Sequence, residues 1–274
     1  MTTAAAEPAR ARAGSPAGTH WREYAIEGGL LGLFMISACG FTTLLEHPAS
    51  PVVRSLPDPF LRRFLTGCAM GATAIALIYS RWGMRSGAHM NPAITLTFAR
   101  LGKVAPRDAL AYVAAQFAGG ALGVLLSGWA LGPLLAHDRV RWAVTVPGPH
   151  GPLVAFGAEV AIAFLLMTVI LRVSNHARFA AWTGLCAGLL VAAYITFEAP
   201  LSGMSMNPAR TLASALGARE WASLWIYFSA PLLGMLLAAE VYLRTRGPEA
   251  VFCAKLHHRN TEPCIFCEYR RTRA

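Results

Sequence analysis

The apolar residues of this chain are concentrated in six long runs that contain almost no charged residues. A helix needs about 20 consecutive apolar residues to cross the hydrocarbon core of a bilayer, and each run approaches or exceeds that length. Charged residues bound most of the runs, as expected for segments that lie in lipid. The pattern therefore predicts six membrane-spanning helices, over residues 26–45, 64–80, 109–136, 153–171, 179–197 and 221–239.

Two short segments between these runs have a different pattern. Each contains the tripeptide Asn-Pro-Ala, at 91–93 and at 207–209. Asn is a favoured helix N-cap and Pro is favoured at the first helical position, so each tripeptide predicts a helix that begins after a loop. The two helices, over 91–100 and 207–215, are too short to cross a bilayer. We expect them to be re-entrant half-helices.

The two halves of the chain share residues at a nearly constant separation of about 116 positions. The pairs are Asn91 and Asn207, Tyr112 and Tyr227, and the doublets Gly67/Gly71 and Gly184/Gly188. A constant separation of this kind indicates an internal duplication. Because each half has three spans, an odd number, the second half must enter the bilayer from the opposite side. The sequence thus predicts an inverted repeat whose interrupted helices meet near the midplane.

The predicted fold class is an all-α membrane protein with six transmembrane helices and two re-entrant half-helices. The N-terminal segment has no apolar core of the kind found in signal peptides, so it is expected to be a disordered cytoplasmic tail. The predicted organisation is a tail (1–23), a first repeat (24–136), an extracellular connecting loop (137–152), a second repeat (153–242) and a cytoplasmic Cys/His-containing tail (243–274).

Composition and charge support a membrane protein rather than a soluble one. Hydrophobic residues make up 55% of the chain and charged residues 14%, whereas a soluble domain carries about 25% charged residues. The net charge of +10 could suggest a nucleic-acid partner, but the basic residues flank apolar runs and form no stripe with interleaved aromatic residues. We therefore expect lipid and no nucleic acid as partners. The positive-inside rule places both termini in the cytoplasm.

The two Asn-Pro-Ala loops, of which the second is followed by Arg210, resemble those of the major intrinsic protein family of aquaporins and aquaglyceroporins. The resemblance covers about residues 24–242. It implies a passive channel for water or small uncharged solutes, such as glycerol, urea, ammonia or neutral metalloid acids, that excludes protons and ions. It also implies a homotetramer in the cell membrane, with one pore per subunit and no enzymatic activity.

Three residues near the half-helices are candidates for the pore. Two half-helices that meet at their N-termini aim both positive dipole ends at one point, which opposes the passage of cations. The resemblance implies that Asn91 and Asn207 also donate amide hydrogen bonds to the permeant; the alternative is that they are only caps. Arg210 opposes the dipole of its own helix, and the first repeat has Ile94 there, so its charge indicates function. The family places this Arg at the narrowest constriction; the alternative is an Arg that extends to the outer surface.

Two acidic residues, Glu27 and Glu159, each lie alone in an otherwise apolar run. The resemblance implies that they accept hydrogen bonds from backbone N–H groups of the re-entrant loops, which hydrocarbon would leave unsatisfied. The alternative is a proton relay. Backbone carbonyls would then form a line of acceptors along the pore, contributed by Gly87, Ala88, His89, Gly203, Met204 and Ser205.

Counting from the two Asn residues transfers the four constriction positions of the family to this sequence. They fall on Gly71, Ile195, Met204 and Arg210. Water-selective members have an aromatic residue and a His at the first two positions, so Gly and Ile predict a wider and less polar constriction. Gly71 also belongs to a Gly-xxx-Gly pattern typical of close helix packing, and that alternative stays open.

The C-terminal tail carries a group of potential metal ligands. Three Cys residues and a His at these spacings could close a tetrahedral zinc site. The predicted ligands are Cys253, His257, Cys264 and Cys267. The alternative is a set of reduced cytosolic thiols without metal, which would leave the protein with no cofactor.

Two other classes of protein remain as alternatives to a channel. An ion-coupled secondary transporter also uses inverted repeats and broken helices, and it would depend on Glu27 or Glu159 for coupling. A membrane scaffold or sensor without a pore would act through its Cys-containing tail.

Overall fold

Six long helices dominate the computed structural model, which describes residues 19–268. All regular structure in that range is helical, and the six helices are long and apolar enough to cross a membrane. With the two half-helices they are α1 (Trp21–Glu46), α2 (Pro59–Tyr79), α3 (Pro92–Arg100), α4 (Pro106–Leu131), α5 (Pro152–Ser174), α6 (Thr183–Phe197), α7 (Pro208–Ala218) and α8 (Leu224–Arg246). The predicted fold class of six spans and two half-helices is confirmed.

Several spans extend beyond their predicted limits because charged residues at their ends find partners. Helix α1 begins at Trp21 rather than at residue 26, and α4 includes Asp108 in its first turn. The Asp108 carboxylate accepts a hydrogen bond from the Tyr24 hydroxyl at 2.5 Å. Helix α8 runs past Glu240, which forms an ion pair with Arg100 at 2.6 Å. Residues 1–18 of the predicted N-terminal tail lie outside the described range.

Both half-helices form where the Asn-Pro-Ala tripeptides predict them. Asn91 and Asn207 are the N-caps of α3 and α7, and a proline follows each cap as the first helical residue. A short helix precedes each loop, over Arg81–Ser86 in the first repeat and Ala199–Ser202 in the second. The loops between the short helices and the half-helices hold the candidate pore residues.

The long helices pair in a way that repeats between the two halves. Helix α1 packs along α4, α5 packs along α8, and α2 packs against α6 across the two repeats. Glycines permit the closest contacts: a Cβ atom on Gly119 would lie 2.0 Å from the carbonyl oxygen of Gly28. Each half-helix packs on a long helix of the other repeat, α3 on α8 and α7 on α4. The two repeats are therefore interlocked around the half-helices.

Candidate pore

The two half-helices meet at their N-terminal ends. The side-chain oxygen of Asn91 accepts from the Ala93 N–H, and that of Asn207 accepts from the N–H groups of Ala209 and Arg210. Each Asn thus satisfies the orphan donors at the start of its own helix. Each Asn amide also donates to the loop of the other repeat, Asn91 to the Met206 carbonyl and Asn207 to the Met90 carbonyl. Two positive dipole ends are therefore brought to one place in the interior, as the sequence predicts.

The loops that lead into the half-helices have the same unusual backbone in both repeats. Ala88 and Met90 have positive φ angles of 55° and 47°, and Met204 and Met206 have φ angles of 51° and 53°. A residue with a side chain pays roughly 1–2 kcal/mol for this left-handed conformation. Surrounding contacts must therefore hold the two loops in place.

Glu27 and Glu159 supply those contacts. Glu27 accepts hydrogen bonds from the backbone N–H groups of His89 at 3.0 Å and Met90 at 2.7 Å. Glu159 accepts from the backbone N–H groups of Ser205 and Met206, both at 2.7 Å. Both carboxylates are fully buried. Both acids therefore accept hydrogen bonds from the loop backbone, which is the contact that the bracing role requires.

A second pair of duplicated residues supports the same loops. The Tyr112 hydroxyl donates to the Ser86 carbonyl at 2.7 Å, and the Tyr227 hydroxyl donates to the Ser202 carbonyl at 2.5 Å. Ser86 and Ser202 also donate from their side chains to Glu27 and Glu159. Hydroxyl and N–H donors thus surround both carboxylates, as expected of braces rather than of free proton carriers.

A cavity of about 340 Å³ runs beside the meeting point of the half-helices. Both Asn caps line it, and so do Met90 and Met206 and the loop residues His89, Met204 and Ser205. Helices α1, α2, α5 and α6 complete the wall with mostly apolar side chains, including Leu31, Phe34, Met70, Ala74, Leu166, Ala187, Val191 and Ile195. The cavity therefore combines a largely apolar wall with two polar loops.

Arg210 lines this cavity from the first turn of α7. Its Nη1 atom is buried and has no hydrogen-bond partner among the described residues. A buried guanidinium donor without a protein partner is costly, because it loses its bonds to water. Arg210 therefore lies beside the cavity with a donor that no described residue satisfies, at the position where the resemblance implies a donor to the permeant.

The counted constriction positions divide into three that fit and one that does not. Ile195, Met204 and Arg210 line the cavity, whereas Gly71 lies at the contact between α2 and α6. A Cβ atom on Gly71 would lie 2.5 Å from the Gly188 carbonyl oxygen. The structure therefore favours the helix-packing alternative for Gly71 over its assignment to the constriction. Its neighbour Met70 provides that part of the wall, because one residue turns about 100° around a helix.

A wall segment that the sequence did not predict comes from the loop between the two repeats. Arg139, Val140, Arg141, Ala143 and Val144 line the end of the cavity near α7, which we call the Arg210 end. The loop enters through consecutive positive φ angles at residues 141–143. A polar loop with no periodic pattern gives no sequence indication of this contact.

The C-terminal tail lies at the opposite end of the cavity, which we call the tail end. Leu256 lines the cavity there, together with His89 and Ala88. The potential metal ligands are close to this point: the sulfur atoms of Cys253, Cys264 and Cys267 and a nitrogen of His258 all lie within 4.8 Å of one another. The predicted His257 is not in this group. Its ring packs edge-on against Tyr79 at 5.1 Å, and the neighbouring His258 takes its place.

The chain matches one family and several known proteins over this same region. Residues 25–242 match the family described as Major intrinsic protein. The chain is 38% identical over 188 residues to Aquaporin NIP2-3 from Zea mays, which covers 68% of this chain and 60% of that protein. It is 35% identical over 204 residues to Aquaporin NIP3-1 from Oryza sativa subsp. japonica, which covers 74% of this chain and 64% of that protein.

The chain spans about 60% of the length of these curated relatives. Among solved structures, the fold is similar to that of the aquaglyceroporin from Plasmodium falciparum, with a TM-score of 0.68 and 20% sequence identity. That similarity covers 85% of this chain and 99% of the other. At this identity the structural match concerns the fold.

Proposed function

The chain belongs to the major intrinsic protein family, and we propose that it is a passive membrane channel for water and small uncharged solutes. The observation that carries the proposal is the cavity beside the joined caps of the half-helices, Asn91 and Asn207, which Arg210 also lines. The names of the relatives, which describe aquaporins, agree with it.

The electrostatics of the site favour neutral permeants. Two helix N-termini carry about half a positive charge each, and both point at the centre of the cavity. Arg210 adds a full positive charge at one end of it. Cations, including hydronium, therefore meet a barrier that an uncharged molecule does not feel.

The apolar wall of the cavity favours solutes that are less polar than water. Ile195, Met204 and Met70 present apolar surface near Arg210, and such surface does not replace the hydrogen bonds of a water molecule. A solute with both apolar and hydroxyl or amide groups, such as glycerol or urea, could contact this wall and bond to Arg210 at the same time. We include such solutes among the permeants.

The placement in the cell is part of the proposal. A multi-pass membrane protein with both termini in the cytoplasm satisfies the positive-inside rule, and the cell membrane is the membrane in which we place it. Apolar residues exposed on the outer faces of the helices, such as Trp129, Leu125 and Leu189, would contact lipid or other subunits of a homotetramer.

The test is an osmotic assay on proteoliposomes that contain the full chain, purified with a metal chelator. Shrinkage in an impermeant osmolyte, followed by stopped-flow light scattering, should be several-fold faster than that of empty vesicles, and no proton current should accompany it. Uptake of glycerol and urea is measured by reswelling.

A matched pair of variants on α6 tests whether the cavity is the route. Ala187 lines the cavity, whereas Leu189 is exposed on the outer face. Ala187→Trp should reduce the rate towards that of empty vesicles, and Leu189→Trp should leave it unchanged. Thermal unfolding in detergent confirms that both variants are folded. Equal rates in the two variants, or a parent rate equal to that of empty vesicles, would overturn the proposal.

A further inference from the structure

The C-terminal tail is packed into the tail end of the cavity. Residues of the tail belong to the same buried cluster as the pore loops. Val251, Ala254, Leu256 and Phe266 are each 4% exposed or less, so the tail is not a free polar segment. Its amino end is also fixed by the Phe252 N–H, which donates to the Asn175 side-chain oxygen at 2.6 Å.

The tail bonds to polar groups of the first pore loop, at residues 87 and 89. The Leu256 N–H donates to the Gly87 carbonyl oxygen at 3.2 Å. The Ala254 carbonyl oxygen lies 2.8 Å from His89 Nε2 and accepts its hydrogen bond. The Gly87 carbonyl is one of the acceptors that the sequence assigned to the permeant, and His89 lines the cavity beside it. With the tail in place, neither the Gly87 carbonyl nor the His89 ring is free to bind a molecule that enters from the tail end.

Phe266 covers the same loop with an aromatic ring. It stacks on the His89 ring with a centroid distance of 5.3 Å and an interplanar angle of 9°, and its edge contacts Tyr112. Gly87 leaves the room: a Cβ atom there would lie 2.7 Å from the Phe266 ring. Together, Leu256 and Phe266 cover the pore loop from two sides.

The Cys/His cluster lies at the base of this plug and has the dimensions of a zinc site. The sulfur of Cys253 lies 3.5 Å from that of Cys264 and 3.7 Å from that of Cys267, and His258 Nε2 lies 3.0 Å from the Cys267 sulfur. In a tetrahedral site with Zn–S bonds of about 2.3 Å, sulfur ligands lie about 3.8 Å apart. A disulfide needs sulfur atoms about 2.05 Å apart, so the geometry fits a shared metal rather than a bond.

The chain around the cluster is arranged as it is around metal-bound thiolates. The Lys255 backbone N–H donates to the Cys253 sulfur at 3.4 Å, a contact that stabilises a metal-bound thiolate. The Lys255 ammonium group bonds to the carbonyl oxygens of Glu262 and Pro263 at 3.0 and 3.1 Å. Its positive charge balances the net charge of −1 that three thiolates and a Zn²⁺ ion carry together.

We propose that Cys253, His258, Cys264 and Cys267 bind one Zn²⁺ ion, and that the metal holds Leu256 and Phe266 in the tail end of the channel and closes it. The tail needs the ion to stay in place because it has little regular structure of its own. Between Val251 and Cys264 the described chain contains no helix or strand. A short irregular segment needs a cross-link to stay folded, and a structural zinc ion provides one. This inference rests on the proposed channel function. In the orientation proposed above, the thiols face the reducing cytosol, which keeps them available to metal.

The metal site is tested on the full chain in detergent, by the zinc retained after dialysis into metal-free buffer. The expected result is one zinc per chain, and with Co²⁺ a thiolate-to-metal absorption band. Two matched pairs of variants locate the ligands. In the first pair, His258→Ala should weaken zinc binding at least about tenfold, whereas His257→Ala should leave it unchanged. In the second pair, the Cys264→Ser, Cys267→Ser double variant should abolish binding, whereas Cys68→Ser, on the outer face of α2, should leave it unchanged. A parent chain without zinc, or His258→Ala with parental affinity, would overturn the site.

Closure is tested by osmotic shrinkage of proteoliposomes with the zinc-loaded and the metal-stripped full chain. The stripped protein should conduct several-fold faster than the loaded one, and the Cys264→Ser, Cys267→Ser double variant should conduct at the fast rate with or without zinc. Cys68→Ser should respond to zinc like the parent. Equal rates for loaded and stripped protein, both above that of empty vesicles, would overturn the closure and leave the channel function intact. Rates equal to empty vesicles in every state would overturn the channel function itself.

Discussion

Asn91 and Asn207 each donate a side-chain hydrogen bond to the loop that the other residue terminates. Asn91 Nδ2 donates to the Met206 carbonyl oxygen, and Asn207 Nδ2 donates to the Met90 carbonyl oxygen, both at 2.7 Å. Each Asn is thus a cap for its own half-helix and a clamp for the opposite loop. Because the second hydrogen of each amide group is not used in this way, it remains available to a molecule in the cavity.

We expect Asn207→Ala to destabilise the protein measurably. The variant loses a helix cap, worth about 1 kcal/mol, and leaves the buried Met90 carbonyl unpaired, which costs about 1–3 kcal/mol. Asn91→Ala should behave alike, because its contacts are equivalent. Asn207→Asp keeps the cap acceptor but places a carboxylate oxygen against the Met90 carbonyl oxygen, so it should be destabilised as well. Thermal unfolding in detergent measures the order; alanine variants as stable as the parent would contradict the double role of the amide groups.

Arg210→Ala should fold normally and lose selectivity against cations. Its Nη1 atom has no hydrogen-bond partner among the described residues, so the truncation breaks no protein contact made by that atom, while it removes a positive charge from the cavity. A pH-sensitive dye inside proteoliposomes should report a proton leak that the parent lacks. Arg178→Ala is the control, since Arg178 is not among the residues that line the cavity. An Arg210→Ala variant with no more proton leak than the parent would show that Arg210 does not contribute to the barrier against cations.

Glu159→Gln should impair folding and should not change any coupling to a proton gradient. The carboxylate accepts from the N–H groups of Ser205 and Met206 and from the Ser202 hydroxyl. An amide at this position would turn its NH2 group towards one of these donors, and the buried mismatch costs about 1–3 kcal/mol. Solute uptake with and without an imposed pH gradient is the measurement. Gradient-driven accumulation by the parent that disappears in the variant would favour a coupled transporter instead.

Gly71→Ala separates a packing role from a role in selectivity. Its added methyl group would lie 2.5 Å from the Gly188 carbonyl oxygen and 2.9 Å from the Ala192 Cβ atom, so we expect a loss of about 1–3 kcal/mol from overpacking. The control is Gly29→Ala on α1, where an added methyl group meets no atom within 4 Å. That variant should be neutral or stabilised by about 0.5–1 kcal/mol, because alanine is the better helix former. Unchanged stability with altered solute preference in Gly71→Ala would restore its assignment to the constriction.

The parts of the site that the sequence predicted correctly are those with a local pattern that occurs twice. The caps Asn91 and Asn207 follow from helix-capping chemistry within a few residues. Glu27 and Glu159 stand out because an acid in an apolar run needs a reason, and each repeat contains one. Both accept hydrogen bonds from the loop N–H groups, as the family resemblance implied.

The parts that the sequence did not predict depend on contacts between distant segments or on a single position of register. His89 and Ala254 are 165 residues apart and share no pattern, so the sequence does not predict that the tail packs on the first pore loop. His257 and His258 are adjacent in an irregular segment, and only the fold decides which ring turns towards the sulfur atoms. Gly71 and Met70 differ by one position on a helix, which separates the packed face from the cavity wall.

The packing of each half-helix on the other repeat has a consequence for the synthesis and membrane insertion of the protein. The half-helix of the first repeat, α3, rests on the last long helix, α8, and that of the second, α7, rests on α4 of the first. When only the first half of the chain has been synthesised, α3 therefore has no α8 to pack against. We expect α3 to reach its final position, and the cavity beside it to form, only after α8 has been inserted.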